Sequence, residues 1–278
     1  MKILICGDVV GKSGRDAVHE HLPHAMAKLT TDFVIVNGEN AAHGYGITRK
    51  MCDGFFDLGV DVITTGNHVW KQKEIIGWID DEPRVLRPLN FPEGTPGKGS
   101  GQFRTRDGGR VMVIHPMGRQ YMESSDDPFA AVDDALRNHR LGKAASGSVD
   151  AVIIDIHAEA TSEKMAMAHY VDGRASVVVG THTHVPTADA QVLPGGTAYQ
   201  TDLGMCGDYN SVIGMKKEAA IERFTTKVPA GRLEPGEGPA TLCGVLVETD
   251  DHTGHAKRIG PLRLGGRLAE VWPIPMVT

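Results

Sequence analysis

Six short runs of apolar, mostly β-branched residues recur along this chain, and each ends in polar side chains. Lys2–Cys6 leads into Gly7-Asp8, Phe33–Val36 into Asn37-Gly38-Glu39-Asn40, and Asp61–Thr64 into Gly66-Asn67-His68. Val111–Ile114 leads into His115, Ala151–Ile156 into His157, and Ser176–Val179 into Gly180-Thr181-His182-Thr183-His184. The runs are continuously apolar rather than alternating, which predicts strands covered on both faces. Helix-length segments lie between several of them, so the expected class is α/β. One helix is expected after Ser13, an N-cap with Asp16 three residues on; Val18, Leu22, Ala25, Met26 and Leu29 keep helical spacing. Pro23 interrupts that segment and predicts a kink or two short helices. Leu242–Thr249 and Ala256–Leu264 read as a late antiparallel hairpin. Pro92–Gly109 and Val228–Pro239, rich in Gly, Pro and charge, read as surface loops. No internal repeat is present, and the expectation is a single domain over residues 1–278.

Composition removes several classes of function. The net charge is -6, which argues against a broad electrostatic surface for nucleic acid or anionic membrane. The cysteines Cys6, Cys52, Cys206 and Cys243 are dispersed, with no C-x-x-C pair, and read as reduced, buried thiols. The first residues enter a strand-like run, too short for a signal peptide, and no stretch approaches about 20 apolar residues. The expectation is a cytoplasmic protein without a membrane partner. Gly7-Asp8-Val9-Val10-Gly11-Lys12-Ser13 ends like a phosphate-binding loop, but only three residues separate its glycines where that loop needs four. Asp8 would also set a carboxylate among the amides meant for a phosphate. Asp8 is better read as an active group itself.

In an open α/β sheet, ligands bind outside the carboxyl ends of the strands. Asp8, Glu39, Asn40, Asn67, His68, His157, His182 and His184 all fall at that edge. Each has a plainer role when taken alone: Asp8 as a helix cap, Asn67 as a turn residue, His157 as a satisfied core histidine. Their shared position makes a site the better reading. Carboxylate, amide oxygen and imidazole together suit Mn, Fe or Zn, and the thiolates of a softer site are absent from the set. In a turn past the strand end, His182 and His184 can straddle two metals. A carboxylate such as Glu39 can bridge cations about 3.5–4 Å apart. Two divalent ions held by Asp8 and Glu39 leave the site locally positive, which favours an anionic substrate.

These residues resemble the motif series of the calcineurin-like metallophosphoesterases: D-x-H, G-D, G-N-H-D/E, a lone His, then G-H-x-H. Here the series runs Gly7-Asp8, Gly38-Glu39-Asn40, Gly66-Asn67-His68, His157 and Gly180-Thr181-His182-Thr183-His184. Val10 stands where the first motif has His, Glu39 where the second has Asp, and Val69 where the third has an acid. These departures resemble the bacterial YmdB-like branch, as do Asn37-Gly38-Glu39-Asn40-Ala41-Ala42, His157-Ala158-Glu159-Ala160-Thr161-Ser162-Glu163-Lys164 and Thr201-Asp202-Leu203-Gly204-Met205. The resemblance implies a four-layer α/β/β/α sandwich and a binuclear, metal-dependent phosphodiesterase. The implied substrates are cyclic phosphodiesters, with 2',3'-cyclic nucleotides as the class. It also implies two divalent or iron-type ions (Fe, Mn, Mg or Zn), one held by Asp8, Glu39, Asn40 and His184, the other by Glu39, Asn67, His157 and His182. A metal-bridging hydroxide would attack phosphorus, and His68, not itself a ligand, would protonate the leaving oxygen.

His43 and Arg119 are further candidates for substrate contact. Glu163 and Lys164 either orient ligands or form an ion pair at a helix start. His19, His21, His24, His252 and His255 read as solvated surface residues, and Cys206 has no histidine near it in sequence to make it a nucleophile. The alternatives are a metal-dependent phosphomonoesterase or protein phosphatase, or a regulatory protein that binds nucleotide at the metal site. An amidohydrolase fits poorly, since its H-x-H follows the first strand and here that pair comes late. Metal identity, physiological substrate and oligomeric state, including a homo-oligomer, are left open by the sequence.

Overall fold

The computed structural model describes residues 1–143, 147–226 and 231–273. Strands run over Lys2–Val10 (β1), Phe33–Asn40 (β2), Val62–Thr64 (β3), Val85–Leu86 (β4), Ser100–Arg104 (β5), Arg110–Ile114 (β6), Arg140–Leu141 (β7) and Ser148–Val149 (β8). They continue with Ala151–His157 (β9), Val177–Thr181 (β10), Gln191–Val192 (β11), Ala198–Gln200 (β12), Met205–Asp208 (β13), Ala240–Thr249 (β14) and Ala256–Leu264 (β15). The α-helices are Gly11–Leu29 (α1), Arg49–Asp57 (α2), Pro128–Leu136 (α3), Thr161–Tyr170 (α4) and Lys217–Thr225 (α5). A seven-stranded sheet has the order β15-β14-β13-β1-β2-β3-β4, and a six-stranded sheet the order β11-β12-β10-β9-β6-β5.

The period of two along each strand explains the layering. Ile3, Ile5, Phe33 and Ile35 of the first sheet share one buried cluster with Val111, Val113, Ile153, Val177 and Val179 of the second, so the sheets pack face to face. The intervening residues Leu4, Cys6, Val34 and Val36 turn the other way and pack on Val18, Leu22 and Ala25 of α1 and on Phe55 of α2. Met112, Ile114, Val152, Ile154 and Val178 do the same against Val132 of α3 and Met167 and Ala168 of α4. Each such buried aliphatic side chain is worth about 1.5–3 kcal/mol. The result is helix, sheet, sheet, helix: the four layers expected.

Several sequence expectations need correction. The first helix starts at Gly11 rather than after Ser13; Val10 is the N-cap position, and the Ser13 hydroxyl instead donates to the Gly236 carbonyl at 2.8 Å. The helix runs unbroken through Pro23, which lies on the exposed side. There the helix can bow outward and solvent can take up the carbonyl that proline leaves unpaired. Pro92–Gly109 is not all loop, since Ser100–Arg104 pairs antiparallel with β6 as an edge strand. Of Val228–Pro239, residues 228–230 lie outside the described residues, and the rest is irregular apart from a bridge between Pro235 and Met215. The late hairpin is present as β14 and β15. All four cysteines are free and buried. No helix among the described residues is long and apolar enough to cross a membrane.

Candidate metal centre

The carboxyl ends of β1, β2 and β3 meet those of β9 and β10 at one edge of the sandwich, where the Asp8 carboxylate accepts from the His182 backbone N–H at 3.1 Å. Four of the candidate residues are not beyond the strands but inside their last turns: Asp8 in β1, Glu39 and Asn40 in β2, His157 in β9. β1 and β2 keep pairing through register shifts on both sides of Asp8. Such irregularities re-aim side chains without ending the strand. His182 (φ 97) and His184 (φ 65) are both in left-handed backbone, which costs a non-glycine residue energy and marks a turn held from outside. The holder is Asp202. One of its carboxylate oxygens accepts from the Thr183 N–H at 3.1 Å, the Thr183 hydroxyl at 2.7 Å and the buried Lys164 ammonium at 2.8 Å. Its other oxygen accepts from Gly204 N–H at 2.8 Å. Thr183 is thereby turned back into the protein, and the flanking histidines face the cleft together.

The nitrogen lone pairs of two histidines can be assigned from their neighbours. Asp155 is fully buried, and its carboxyl is held below the usual carboxylate range: burial pushes it up, but His115, Thr64 and His157 outweigh that. It accepts the Thr181 hydroxyl proton at 2.8 Å. The Thr181 oxygen, 2.9 Å from His157 Nδ1, can then only accept, so His157 carries its proton on Nδ1. His157 Nε2 therefore turns a lone pair toward Glu39 Oε2 at 2.7 Å, Asn67 Oδ1 at 3.2 Å and His182 Nδ1 at 3.2 Å. His182 points its Nε2 at the Glu159 carboxylate, 3.2 Å away, which leaves Nδ1 as another lone pair. Burial and the neighbouring His157 push His182 down to about 3, so it stays neutral. Acceptors and lone pairs thus converge with no donor among them. Only an added proton or a cation satisfies that arrangement.

One ligand atom each from Glu39, His157 and His182 lies within 4.8 Å of the others. Ligands about 2.0–2.2 Å from one ion stand about 3–3.5 Å apart; here His157 Nε2 is 3.2 Å from His182 Nδ1 and 2.7 Å from Glu39 Oε2. Gly66 keeps the space open: a Cβ there would sit 2.4 Å from His157 Nε2 and 2.6 Å from Glu39 Cδ. On the other side of Glu39, His184 Nε2 is 3.0 Å from Asn40 Nδ2 and 4.0 Å from Asp8 Oδ1, and His184 Nδ1 donates to the Ile213 carbonyl at 2.7 Å. Asp8 Oδ1 is buried without a hydrogen-bond partner. Burial, with Glu39 and Asp202 nearby, pushes the Asp8 carboxyl well up. A cation between Asp8, Glu39 and His184 would relieve Asp8 Oδ1, and Glu39 Oε2 is likewise buried without a hydrogen-bond partner.

His68 Nδ1 lies 2.8 Å from Asn40 Oδ1 and 3.1 Å from Glu39 Oε1, and its ring packs edge-on against Tyr45. The eight strand-edge residues are therefore brought together. Two other candidates are not: His43 is exposed with φ 55, and the Arg119 guanidinium pairs with Asp127 at 3.3 Å. Neither lines the cleft in front of the cluster. Glu163 and Lys164 do not pair with each other; Glu163 accepts from the Arg119 and Gln120 N–H groups, and Lys164 is the partner of Asp202. Burial pushes the Cys206 thiol well up, which removes it as a nucleophile. Sequence reasoning passed over Asp155, Thr181, Glu159 and Asp202. Asp155 did carry a signal: a carboxylate inside the apolar run Ala151–Ile156 must have partners if that strand is covered on both faces.

The chain matches the family model described as YmdB-like protein over residues 4–262. It is 49% identical to the 2',3'-cyclic-nucleotide 2'-phosphodiesterase of Bacillus subtilis (strain 168), over 93% of this chain and 95% of that protein. Among solved structures it is similar to a hypothetical protein from Thermus thermophilus, with TM-score 0.87 and 42% identity over 96% of this chain and 100% of that one. A novel phosphatase from Mycoplasma pneumoniae is also similar, with TM-score 0.87 and 33% identity over 95% of this chain and 93% of its own.

Proposed function

The chain belongs to the YmdB-like protein family, and from that premise we propose that it is a metal-dependent phosphodiesterase that hydrolyses 2',3'-cyclic nucleotides. The observation that supports this reading most directly is the donor-free convergence of Glu39 Oε2, Asn67 Oδ1, His157 Nε2 and His182 Nδ1. Two ions are proposed. Asp8, Glu39, Asn40 and His184 would hold one, and Glu39, Asn67, His157 and His182 the other, with Glu39 shared. Held there, divalent ions would supply a water whose pKa is lowered from about 15.7 toward about 7 and would neutralise charge on phosphoryl oxygens.

The remaining chemistry falls to side chains of this chain. Glu39 Oε1 and Asn40 Oδ1 take up His68 Nδ1–H, so the imidazolium form of His68, carrying its second proton on Nε2, would hand that proton to the departing ribose oxygen and regain one from the attacking water. Water oxygen bonds to phosphorus, the bond from phosphorus to one ribose oxygen breaks, and the proton lost by water is balanced by the one that oxygen receives. Thr181 and Asp155 fix the His157 ring, and Asp202 fixes the turn bearing His182 and His184, so little rearranges during the reaction.

The test is metal analysis together with a panel of 2',3'- and 3',5'-cyclic nucleotides, a bis-aryl phosphate and a mono-aryl phosphate. Metal-dependent turnover of the diesters is expected. Turnover confined to the monoester, or a protein that takes up no metal, refutes the proposal. His68→Ala should lower turnover by about 10²–10⁴-fold with metal content unchanged, the size of a proton-transfer role; loss of metal in that variant removes His68 from the role.

A further inference from the structure

The cleft in front of the centre, about 270 Å³, is lined by two unlike sets of side chains. Glu39, Asn40, His68, His182 and His184 form one, with Glu159 and Thr183 beside them. The other is made by Tyr45, Ile213, Met215 and Leu233, and the hydrolysis described above makes no use of it. A second cavity of about 560 Å³ continues across the same Ile213, Met215 and Leu233, and adds Val212, Ala220 and Phe224, with Arg223 the charged residue in its lining. Ile213 marks the join. It is 56% exposed with φ 47, in a region that is strained for a β-branched residue. Its carbonyl accepts from His184 Nδ1. The residue that steadies one proposed ligand therefore also presents an apolar side chain to whatever reaches the centre.

We propose that this wall, from Tyr45 across Ile213 and Met215 to Leu233, is a subsite for the nucleobase of a nucleotide whose phosphate sits at the centre. The inference rests on the phosphodiesterase reading above and adds a recognition element to it. A ribose separates phosphate from base, so a phosphate at the centre delivers a flat, apolar-faced ring to the far side of the same cleft. Tyr45 is steadied by its edge-on packing on His68, 5.1 Å between centroids, and is not a loose surface ring. Apart from the Tyr45 hydroxyl and the weakly accepting Met215 sulfur, the wall offers no side-chain donor or acceptor to read a base edge. Contact with a base face is tolerant of base identity, because every base has one. The subsite should therefore demand a base without choosing among bases.

The test is equilibrium binding to the Mn(II)-loaded protein, comparing ribose 5-phosphate with the 3'-monophosphates of adenosine, guanosine, cytidine and uridine. Each nucleotide is expected to bind about 5- to 150-fold tighter than the sugar phosphate, the range that stacking supplies. The four nucleotides should lie within about tenfold of one another. Met215→Ala and Leu233→Ala should each shrink the ratio of nucleotide to sugar-phosphate affinity. Sugar phosphate and nucleotides binding within about threefold of each other overturn the proposal, as does a preference above about 100-fold for one base. The comparison in the unaltered protein stands even if a variant misfolds. Failure to turn over any cyclic nucleotide, with base-dependent binding intact, removes the phosphodiesterase reading and leaves the subsite.

Discussion

Thr181→Val exchanges one hydroxyl for a methyl of nearly the same volume at a fully buried position. In the intact protein the hydroxyl bridges Asp155 and His157, with contacts of 2.8 and 2.9 Å. Asp155 would keep the Thr64 hydroxyl at 2.6 Å and the Asn37 amide at 3.3 Å, so its charge stays solvated by the protein. His157 would lose its only reason to carry the proton on Nδ1. With that N–H facing a methyl, the tautomer with the proton on Nε2 becomes competitive, and this proton sits where the proposed cation would bind. Losing a partner that orients a ligating histidine typically weakens metal binding by about 10–100-fold, or about 1.4–2.7 kcal/mol. Leaving a buried donor unpaired should also destabilise the metal-free protein by about 1–3 kcal/mol. Competition with a fluorescent chelator measures the first quantity and urea unfolding the second. Thr181→Ser restores the hydroxyl and should restore affinity. Metal affinity of Thr181→Val within about twofold of the parent would refute the tautomer argument, and so would a Thr181→Ser variant as weak as Thr181→Val.

The Gly66→Ala side chain enters the space between His157 and Glu39, so metal content should fall sharply while circular dichroism stays that of the parent; normal metal content would show that the space is not where the ion binds. Lys164→Met leaves the buried Asp202 carboxylate without its cation and should cost about 3–5 kcal/mol in denaturant unfolding; a loss under about 1 kcal/mol, as for a surface pair, would argue against that role. Stability of the metal-free protein should fall on acidification below pH 6.5, because His182 stays neutral in the fold down to about 3 while its unfolded counterpart takes up a proton near 6.5. The unfolded chain binds the extra proton throughout that window, a slope of up to about 1.4 kcal/mol per pH unit. His182→Asn should flatten the slope in urea titrations between about pH 5 and 7, and an unchanged slope would exclude His182 as its source.

The strands were legible because burial on both faces leaves an apolar signature that no surface strand shares. Phe33–Val36 and Val177–Val179 send alternate side chains into two different cores, and both cores require apolar residues. Where a strand carries function the signature stops before the backbone does. β1 and β2 run on through Asp8, Glu39 and Asn40, whose polarity hid the continued pairing. Pro23 misled for the reverse reason: its cost depends on which side of the helix it occupies, and local sequence does not show the side. The site residues were legible as a set, since chemistry of one kind recurred at one edge. The residues that orient them were harder to find, because a threonine in a strand has many ordinary roles. Thr181 is marked by bridging Asp155 to His157, and Thr183 by joining Asp202 inside the turn between His182 and His184, contacts that only the folded structure displays.

The joining of Asp8 to His182 also bears on how the molecule comes together in time. Those residues are 174 positions apart, and Asn40 and His184 are 144 apart, so the centre belongs to neither sheet alone. Bringing such distant segments into register is the slow part of forming a high-contact-order fold. A nascent chain still short of His184 lacks one of the proposed ligands, however well its first sheet has formed. Metal capture by the proposed set would thus come after docking of the two halves, and an ion held between them would raise the barrier to their separation more than it speeds their meeting.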